Sequence, residues 1–130
     1  MEKTRHAVPD TPTPLLGECL SQWARRYGDH TALVDGKQRL SFIGLDRRVE
    51  RLAAGLHRLG LRRGDRAMLQ LPNSIGFVSV CLALFRLGVI PVLAMPTQRA
   101  RDMDALCRLA EPVAYFIPDT AHGFDYRPLA

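Results

Sequence analysis

The chain contains 130 residues, of which 47% are hydrophobic and 24% are charged, and this is the composition of one ordinary globular domain. Its formal charge of +5 comes mostly from arginines that are scattered over several segments. Nucleic-acid binding favours basic residues that cluster on one face with aromatic residues between them, so we do not expect a nucleic-acid partner.

The first elements along the chain are a tail and a helix. Residues 1–13 carry charges and prolines without the apolar core of a signal peptide, and we expect a flexible N-terminal tail. Thr13 then supplies a helix-capping side chain before Pro14, and apolar residues recur at helical spacing from there onwards. This pattern predicts a first helix that ends at Gly28.

A hairpin and a second helix are expected next. The β-prone runs Thr31–Asp35 and Gln38–Phe42 flank a turn in which the dipeptide Asp35-Gly36 favours tight hairpins, although the exact loop stays open. From Ser41 the apolar residues recur with the period of a helix, and Gly60 ends the pattern.

The second half of the chain alternates between β-prone and helical patterns. Strands are predicted at Arg66–Leu71, Val89–Met95 and Val113–Ile117, and helices from Asn73 or Ser74 to Leu87 and over Asp102–Ala110. This order predicts a parallel sheet with right-handed crossovers, wound by helices on both faces. The fold class is therefore α/β, with a parallel βαβαβ core preceded by a helix and a β-hairpin.

The helix over Ile75–Leu87 is apolar almost all round, with Ser79 and Arg86 as its polar exceptions. Such a helix is buried on most sides, and we expect neighbours outside a lone domain of this size to cover it. It is much shorter than the roughly 20 residues that cross a bilayer, so no membrane partner is expected. After Pro118 the chain runs through a polar stretch to Ala130 without a cap or tail, as if cut from a longer protein.

The cysteines favour a reducing, cytoplasmic setting. There are 3 of them, an odd number, at Cys19, Cys81 and Cys107, and each falls within an apolar helical pattern. A buried cysteine usually behaves as a small hydrophobic side chain, so we do not expect a catalytic nucleophile among them.

The residues that would bind phosphate are missing from the strand-to-helix turns. The turn Leu71–Gly76 contains Pro72, where a phosphate loop needs closely spaced glycines or a Gly-Lys-Ser/Thr run. The only lysines are Lys3 in the tail and Lys37 in the hairpin turn. ATP phosphates therefore have no evident cradle in this chain.

Metal and triad chemistry are not expected either. The four histidines are far apart and have no cysteine partner at ligand spacing: His6, His30, His57 and His122. Ser74 and Ser79 lack the flanking glycines of a nucleophile elbow, and capping and packing are their expected roles.

Four polar residues follow the strands of the predicted sheet, where α/β folds place their ligands: Asn73, Thr97, Gln98 and Arg99. Capping is the simpler role for Asn73, and Arg99 is expected to open the next helix with its charge. We therefore assign no catalytic, cofactor-binding or metal-binding residue.

Several segments resemble the core motifs of adenylate-forming, AMP-binding enzymes. Leu40–Leu45 resembles the first motif, Leu-Thr/Ser-Tyr-x-Glu-Leu, with Gly44 in place of its glutamate, so that Ser41 can cap the helix without the reciprocal carboxylate. Ala83–Val92 resembles the second motif, in which a helix ends at glycine and leads into a strand.

The run Pro91–Arg99 is similar to a stretch of the aryl-acid branch of this family, the 2,3-dihydroxybenzoate-AMP and salicylate-AMP ligases of siderophore biosynthesis, although Gln98 departs from its usual histidine. Ala110–Asp119 and Gly123–Arg127 resemble the same branch. On this resemblance, residues 14–130 form part of the N-terminal subdomain of an adenylation domain, an incomplete lobe of the large domain.

The resemblance implies a reaction of the longer parent protein. ATP, with Mg²⁺, and an aryl carboxylate give an acyl-adenylate and pyrophosphate, and the phosphopantetheine thiol of an aryl carrier protein then takes the acyl group. The phosphate loop and the catalytic lysine of the family lie outside this chain, which alone is expected to be inactive and to bind neither cofactor.

Two kinds of alternative stay open. The parent is either an aryl-acid AMP ligase or, within the same enzyme class, an acyl-CoA ligase or an amino-acid adenylation domain. From another class, the chain is a non-catalytic interaction module, and exposed apolar surface would then let it self-associate.

Overall fold

A computed structural model describes residues 15–130, so the predicted tail over residues 1–13 and the predicted capping pair Thr13 and Pro14 lie outside the described residues. The helices are α1 (Leu16–Tyr27), α2 (Phe42–Arg58), α3 (Ile75–Leu87) and α4 (Ala100–Ala110). The strands are β1 (Thr31–Asp35), β2 (Gln38–Ser41), β3 (Arg66–Leu69), β4 (Ile90–Leu93), β5 (Ala114–Phe116), β6 (Thr120–Ala121) and β7 (Phe124–Asp125), followed by a 3₁₀ turn over Arg127–Leu129.

The elements before the sheet agree with the prediction. Strands β1 and β2 form an antiparallel hairpin whose two turn residues include Gly36 at φ +57°, the left-handed conformation that primed turns require. The Ser41 hydroxyl accepts a hydrogen bond of 3.1 Å from the Gly44 amide and caps α2. The motif over Leu40–Leu45 predicted this cap. Helix α1 begins after Leu15, which makes no side-chain cap.

The central sheet is parallel and has the strand order β4-β3-β5. Its crossover from β3 to β4 runs in one direction along the sheet, and its crossover from β4 to β5 runs back past β3 in the other. Right-handed crossovers of opposite direction place their helices on opposite faces, so α3 and α4 lie on either side of β3. The predicted parallel βαβαβ core, wound on both faces, is confirmed.

Side-chain alternation along β3 divides the core in the same way. Ala67 and Leu69 join the larger core with α1, α2 and α3, whereas Met68 points to the other face and packs with Met103 of α4. Because both faces of this strand are covered, its residues are almost all apolar and buried. Pro91 lies in β4, an edge strand, where the lost backbone donor is tolerated.

Helix α3 is the centre of the larger core. None of its residues is fully exposed, and α1, α2 and β1 pack against it. Four of its residues are buried and the other nine are half-buried, so elements of this chain supply part of the predicted cover. Cover from neighbours outside the chain stays a prediction. Exposed apolar side chains lie elsewhere, including Ile90 and Leu93 of β4 and Val113 before β5. Within residues 15–130 no helix is long and apolar enough to span a bilayer.

A polar clamp fastens the three larger helices to one another. Arg86 of α3 donates to the Asp46 carboxylate of α2 at 2.7 Å and to the Ser21 hydroxyl of α1 at 3.1 Å. Ser21 in turn donates to Asp46 at 3.0 Å. The ion pair is only partly exposed, so solvent screens it less than a surface pair. The one charged residue of the apolar helix is thus used inside the fold.

The stretch after β5 departs from the prediction. No regular element was predicted beyond Ile117, yet β6 and β7 form a short antiparallel hairpin that leads into the 3₁₀ turn. Strands of two residues carry no periodic signal, so hydrophobic patterning cannot find them. The buried ring of Tyr126 anchors this segment to the rest of the molecule.

The crossing of α1 over α3 depends on a glycine. A Cβ atom at Gly17 would lie 2.6 Å from the Phe85 carbonyl oxygen, a contact that neither backbone can relieve without moving apart. Gly55 of α2 offers a comparison, because a Cβ there would meet nothing within 4 Å.

We expect Gly17→Ala to destabilise the chain by about 1–3 kcal/mol, the usual cost of overpacking. The matched change Gly55→Ala should stabilise it by about 0.5–1 kcal/mol, because alanine favours an open helical position over glycine. Urea denaturation followed by circular dichroism measures both. Equal effects of the two substitutions would contradict the close helix crossing.

Candidate functional site

The carboxyl edge of the sheet is the candidate site because of how its crossovers leave. In open α/β sheets, ligands bind beyond the carboxyl ends of two adjacent strands whose connections go to opposite faces. Strands β3 and β4 satisfy this condition. At this edge the turn Leu71–Ser74 follows β3, and the segment Met95–Arg99, hereafter the β4–α4 loop, follows β4.

Gln70 follows β3 at this edge and is fully buried. Its amide nitrogen donates to the carbonyl oxygens of Met95 at 3.0 Å and Gln98 at 2.9 Å, both in the β4–α4 loop. Its amide oxygen accepts from the Tyr115 hydroxyl of β5. One side chain thus connects the end of β3 with a residue of β5 and with the loop that follows β4. Gln70 was not among the predicted candidate residues.

The β4–α4 loop is also closed internally. The Gln98 amide oxygen accepts from the Met95 backbone N–H at 2.8 Å, and the Gln98 backbone N–H donates to the Met95 carbonyl at 3.0 Å. Gln98 is one of the polar residues that follow the strands, where α/β folds place their ligands, but its side chain is hydrogen-bonded within the loop. Thr97 is exposed at the tip.

Arg99 joins the loop to the C-terminal hairpin. Its Nη1 donates to the carbonyls of Pro96 at 2.8 Å and Gln98 at 3.0 Å, and its guanidinium lies 3.9 Å from the centre of the Phe124 ring. Tyr126, which directly follows that hairpin, donates its hydroxyl hydrogen to the Pro96 carbonyl at 2.7 Å. Arg99 precedes α4, as predicted, but its side chain makes no cap there.

The amino terminus of α3 forms the opposite border, and two of its backbone donors are bonded to side chains. The Ser74 hydroxyl accepts from the Phe77 amide, and the Asp35 carboxylate of β1 accepts from the Ile75 amide, each at 3.1 Å. Ser74, and not Asn73, is therefore the cap. Asn73 is exposed and makes no hydrogen bond in the described structure.

The remaining candidates are not brought together. His30, His57, His122 and Lys37 are exposed at separate places, and residues 15–130 contain no cluster of three or more potential metal ligands. His6 and Lys3 lie outside the described residues. Ser79 donates to the Ile75 carbonyl within its own helix at 2.6 Å. Burial raises the pKa of the Cys81 thiol, which opposes the formation of a reactive thiolate.

The described residues do not fit a nucleotide or Mg²⁺. A phosphate at the amino terminus of α3 would meet the Asp35 carboxylate, and the Ile75 and Phe77 amides there are already bonded. The Gln70 amide at the end of β3 is bonded to the β4–α4 loop, and no buried side-chain polar atom of residues 15–130 lacks a partner. The buried polar side chains of this edge therefore bind one another, whereas Asn73 and Thr97 are exposed.

With this geometry in place, comparisons with known proteins define the class of protein. The model of the family described as AMP-binding enzyme matches residues 20–128, and the chain therefore belongs to that family. The resemblance of the core motifs to adenylate-forming enzymes is confirmed.

Several characterised relatives belong to the aryl-acid branch. The chain is 46% identical over 115 residues to a 2,3-dihydroxybenzoate-AMP ligase of Bacillus subtilis and 49% identical over 115 residues to the pyochelin synthase PchD of Pseudomonas aeruginosa. It is 42% identical over 120 residues to a salicyl-AMP ligase / salicyl-S-ArCP synthetase of Mycobacterium tuberculosis. Each alignment covers 88% of this chain but only 21% of the relative, so the chain spans about a fifth of their length.

Solved structures show the same fold. The apo structure of Mycobacterium smegmatis MbtA superposes with a TM-score of 0.75 at 36% identity, over 78% of this chain and 19% of that chain. The N-terminal subdomain of Klebsiella oxytoca NpsA gives a TM-score of 0.80 at 18% identity, over 90% and 32% respectively, and this match concerns the fold alone. The fold is that of the N-terminal subdomain of adenylate-forming enzymes.

Tyr115 gives this edge a pH signature. Burial, followed by the neighbouring Cys107 and Tyr126, raises the pKa of Tyr115 to about 12, whereas an unfolded tyrosine titrates near pH 10. Stability from neutral Tyr115 is thus fully present below about pH 10 and is lost as the pH rises towards 12.

We expect the free energy of unfolding to decline over this alkaline range and Tyr115→Phe to remove part of that decline. Urea titrations of both proteins at a series of pH values measure it. An identical alkaline decline in the two proteins would show that Tyr115 does not contribute.

Proposed function

We propose that this chain forms the first lobe of the large domain of an ATP-dependent aryl-acid AMP ligase, with 2,3-dihydroxybenzoate or salicylate as the acid. The identity of 42–49% to three relatives whose names describe siderophore-type aryl-acid or pyochelin synthesis carries the proposal. The described geometry supports the role of a scaffold, because every buried side-chain polar atom of residues 15–130 has a hydrogen-bond partner within the chain.

In the whole protein, the acid would react with ATP to give an acyl-adenylate and pyrophosphate, and a thiol would then take the acyl group. ATP and Mg²⁺ are the cofactors that this chemistry requires, because developing phosphate charge must be met by cations and oriented donors. The described residues do not supply them, so this chain has no catalytic residue in the proposal. We place the reaction in the cytoplasm, in keeping with the odd number of cysteines, 3, in the sequence.

We propose the phosphopantetheine thiol of an aryl carrier protein as the acyl acceptor. Two observations support it: the name of the Mycobacterium tuberculosis relative includes salicyl-S-ArCP synthetase, and NpsA has been solved as an artificially fused adenylation-PCP di-domain. Coenzyme A is the second candidate, since a Streptomyces relative at 41% identity is called a salicylyl-CoA synthase.

The alternative from another class, a non-catalytic interaction module, keeps a basis in the exposed apolar side chains. Leu93 of β4, Leu109 of α4 and Val113 before β5 are each more than half exposed. Contacts through them would let the isolated chain self-associate, and concentration-dependent elution in size-exclusion chromatography would reveal it.

A chimeric enzyme tests the proposed function. The 115 matched residues of the Bacillus subtilis ligase are replaced by those of this chain, and ATP–pyrophosphate exchange is measured with 2,3-dihydroxybenzoate and with salicylate. We expect acid-dependent exchange, because a scaffold lobe of the same branch should present the catalytic residues of the rest of the enzyme correctly. The 130-residue chain alone should show none.

Adding a carrier protein or coenzyme A to the chimera then identifies the acceptor from the thioester formed. A chimera that folds but shows no acid-dependent exchange would contradict the proposal. So would robust exchange by the isolated chain, since that would require a nucleotide site within it.

A further inference from the structure

Two polar residues of the described chain are completely buried, and they differ in what they hold. Ser79 bonds only to the Ile75 carbonyl one turn earlier in the same helix. Gln70 bonds to three residues that are at least 25 positions away in sequence. A buried amide that joins separate segments constrains their relative positions, whereas an intrahelical hydroxyl bond does not.

We propose that Gln70 is a positioning residue for adenylation, acting through the β4–α4 loop rather than by touching substrate. This inference rests on the proposed function. Gln70 would set the conformation in which the loop stands at the carboxyl edge of the sheet, the place where α/β folds meet their ligands.

The orientation of the Gln70 amide is fixed by its partners. Two of them, the carbonyl oxygens of Met95 and Gln98, can only accept hydrogen bonds, so the NH₂ group must face the loop. The Tyr115 hydroxyl then donates to the remaining amide oxygen. Both N–H groups of the amide and its oxygen therefore have partners. A reversed amide would place its oxygen against two carbonyl oxygens.

The β4–α4 loop is held by hydrogen bonds within its own turn and by the two bonds that the Gln70 amide donates to it. Its internal bonds join Met95 to Gln98 and leave the Gln98 carbonyl to Gln70 and Arg99. Among the side chains that bond to the turn, Gln70 links both of its ends to the end of β3, whereas Arg99 and Tyr126 connect the loop to the C-terminal segment. Without Gln70, the turn that carries the exposed Thr97 would lose these direct side-chain bonds, while Met103 would still pack α4 against β3.

Three substitutions in the 130-residue chain test the contact. Gln70→Met keeps the length of the side chain and removes the donors, Gln70→Glu replaces them with a carboxyl, and Ser79→Ala is the matched control for a buried polar group. Hydrogen exchange is measured at the Met95 and Gln98 amides, whose bonds close the loop. We expect exchange about tenfold faster in Gln70→Met, the effect of losing one hydrogen bond, and no loop-specific change in Ser79→Ala.

Gln70→Glu adds a pH profile that a packing defect would not give. A buried carboxyl has a raised pKa, and only its protonated form can donate to a loop carbonyl. Loop protection should therefore return as the pH falls and disappear as it rises, while Gln70→Met stays constant. The charged and titratable groups around this contact are Arg99, which bonds to the Gln98 carbonyl, and Tyr115, with Cys107 and Tyr126 beside Tyr115. Burial raises the pKa of Tyr115 to about 12, well above the range of the acid-side profile.

The same substitutions in the chimera connect the loop to the reaction. We expect Gln70→Met to lower kcat for pyrophosphate exchange several-fold at a temperature at which the enzyme is folded, and Ser79→Ala to leave kcat unchanged. Loss of activity in the unsubstituted chimera would count against the proposed function alone. Wild-type loop exchange in both Gln70 variants, or faster loop exchange with unchanged kcat, would overturn the positioning role.

Discussion

The order of the parallel sheet is the constraint on which the rest of the molecule depends. Because β3 lies between β4 and β5, the two crossovers must run in opposite directions and place α3 and α4 on opposite faces. Burial of both faces of β3 follows, as does the division of the core into two clusters. The same topology sends the connections after β3 and β4 to opposite faces, and a doubly wound fold ordinarily receives its ligand at the carboxyl edge of its sheet.

In this chain the polar groups at that edge contact one another. The Gln70 amide bonds to the β4–α4 loop, the Asp35 carboxylate and Ser74 hydroxyl accept from amides at the start of α3, and Arg99 packs against Phe124. These groups therefore stabilise the ends of the strands and helices. Membership of the AMP-binding family and the scaffold-like geometry are compatible, because the chain spans only about a fifth of its aryl-acid relatives.

Hydrophobic periodicity was sufficient to predict the order of helices and strands up to β5, since each of these elements buries one regular face. The cap at Ser41 was also predictable, because it depends on neighbours in sequence. Gln70 was not, because its partners lie 25 to 45 residues away and only the folded sheet brings them together. The packing of α1 and α2 against α3 was not predictable for the same reason, because it is a tertiary property that helix patterning does not report.

Calorimetric titration of the 130-residue chain with ATP and Mg²⁺ tests the central claim most directly, namely that the polar groups of this lobe bind one another and not a nucleotide. We expect no saturable heat of binding in this titration. A saturable binding curve with one nucleotide per chain would contradict the claim.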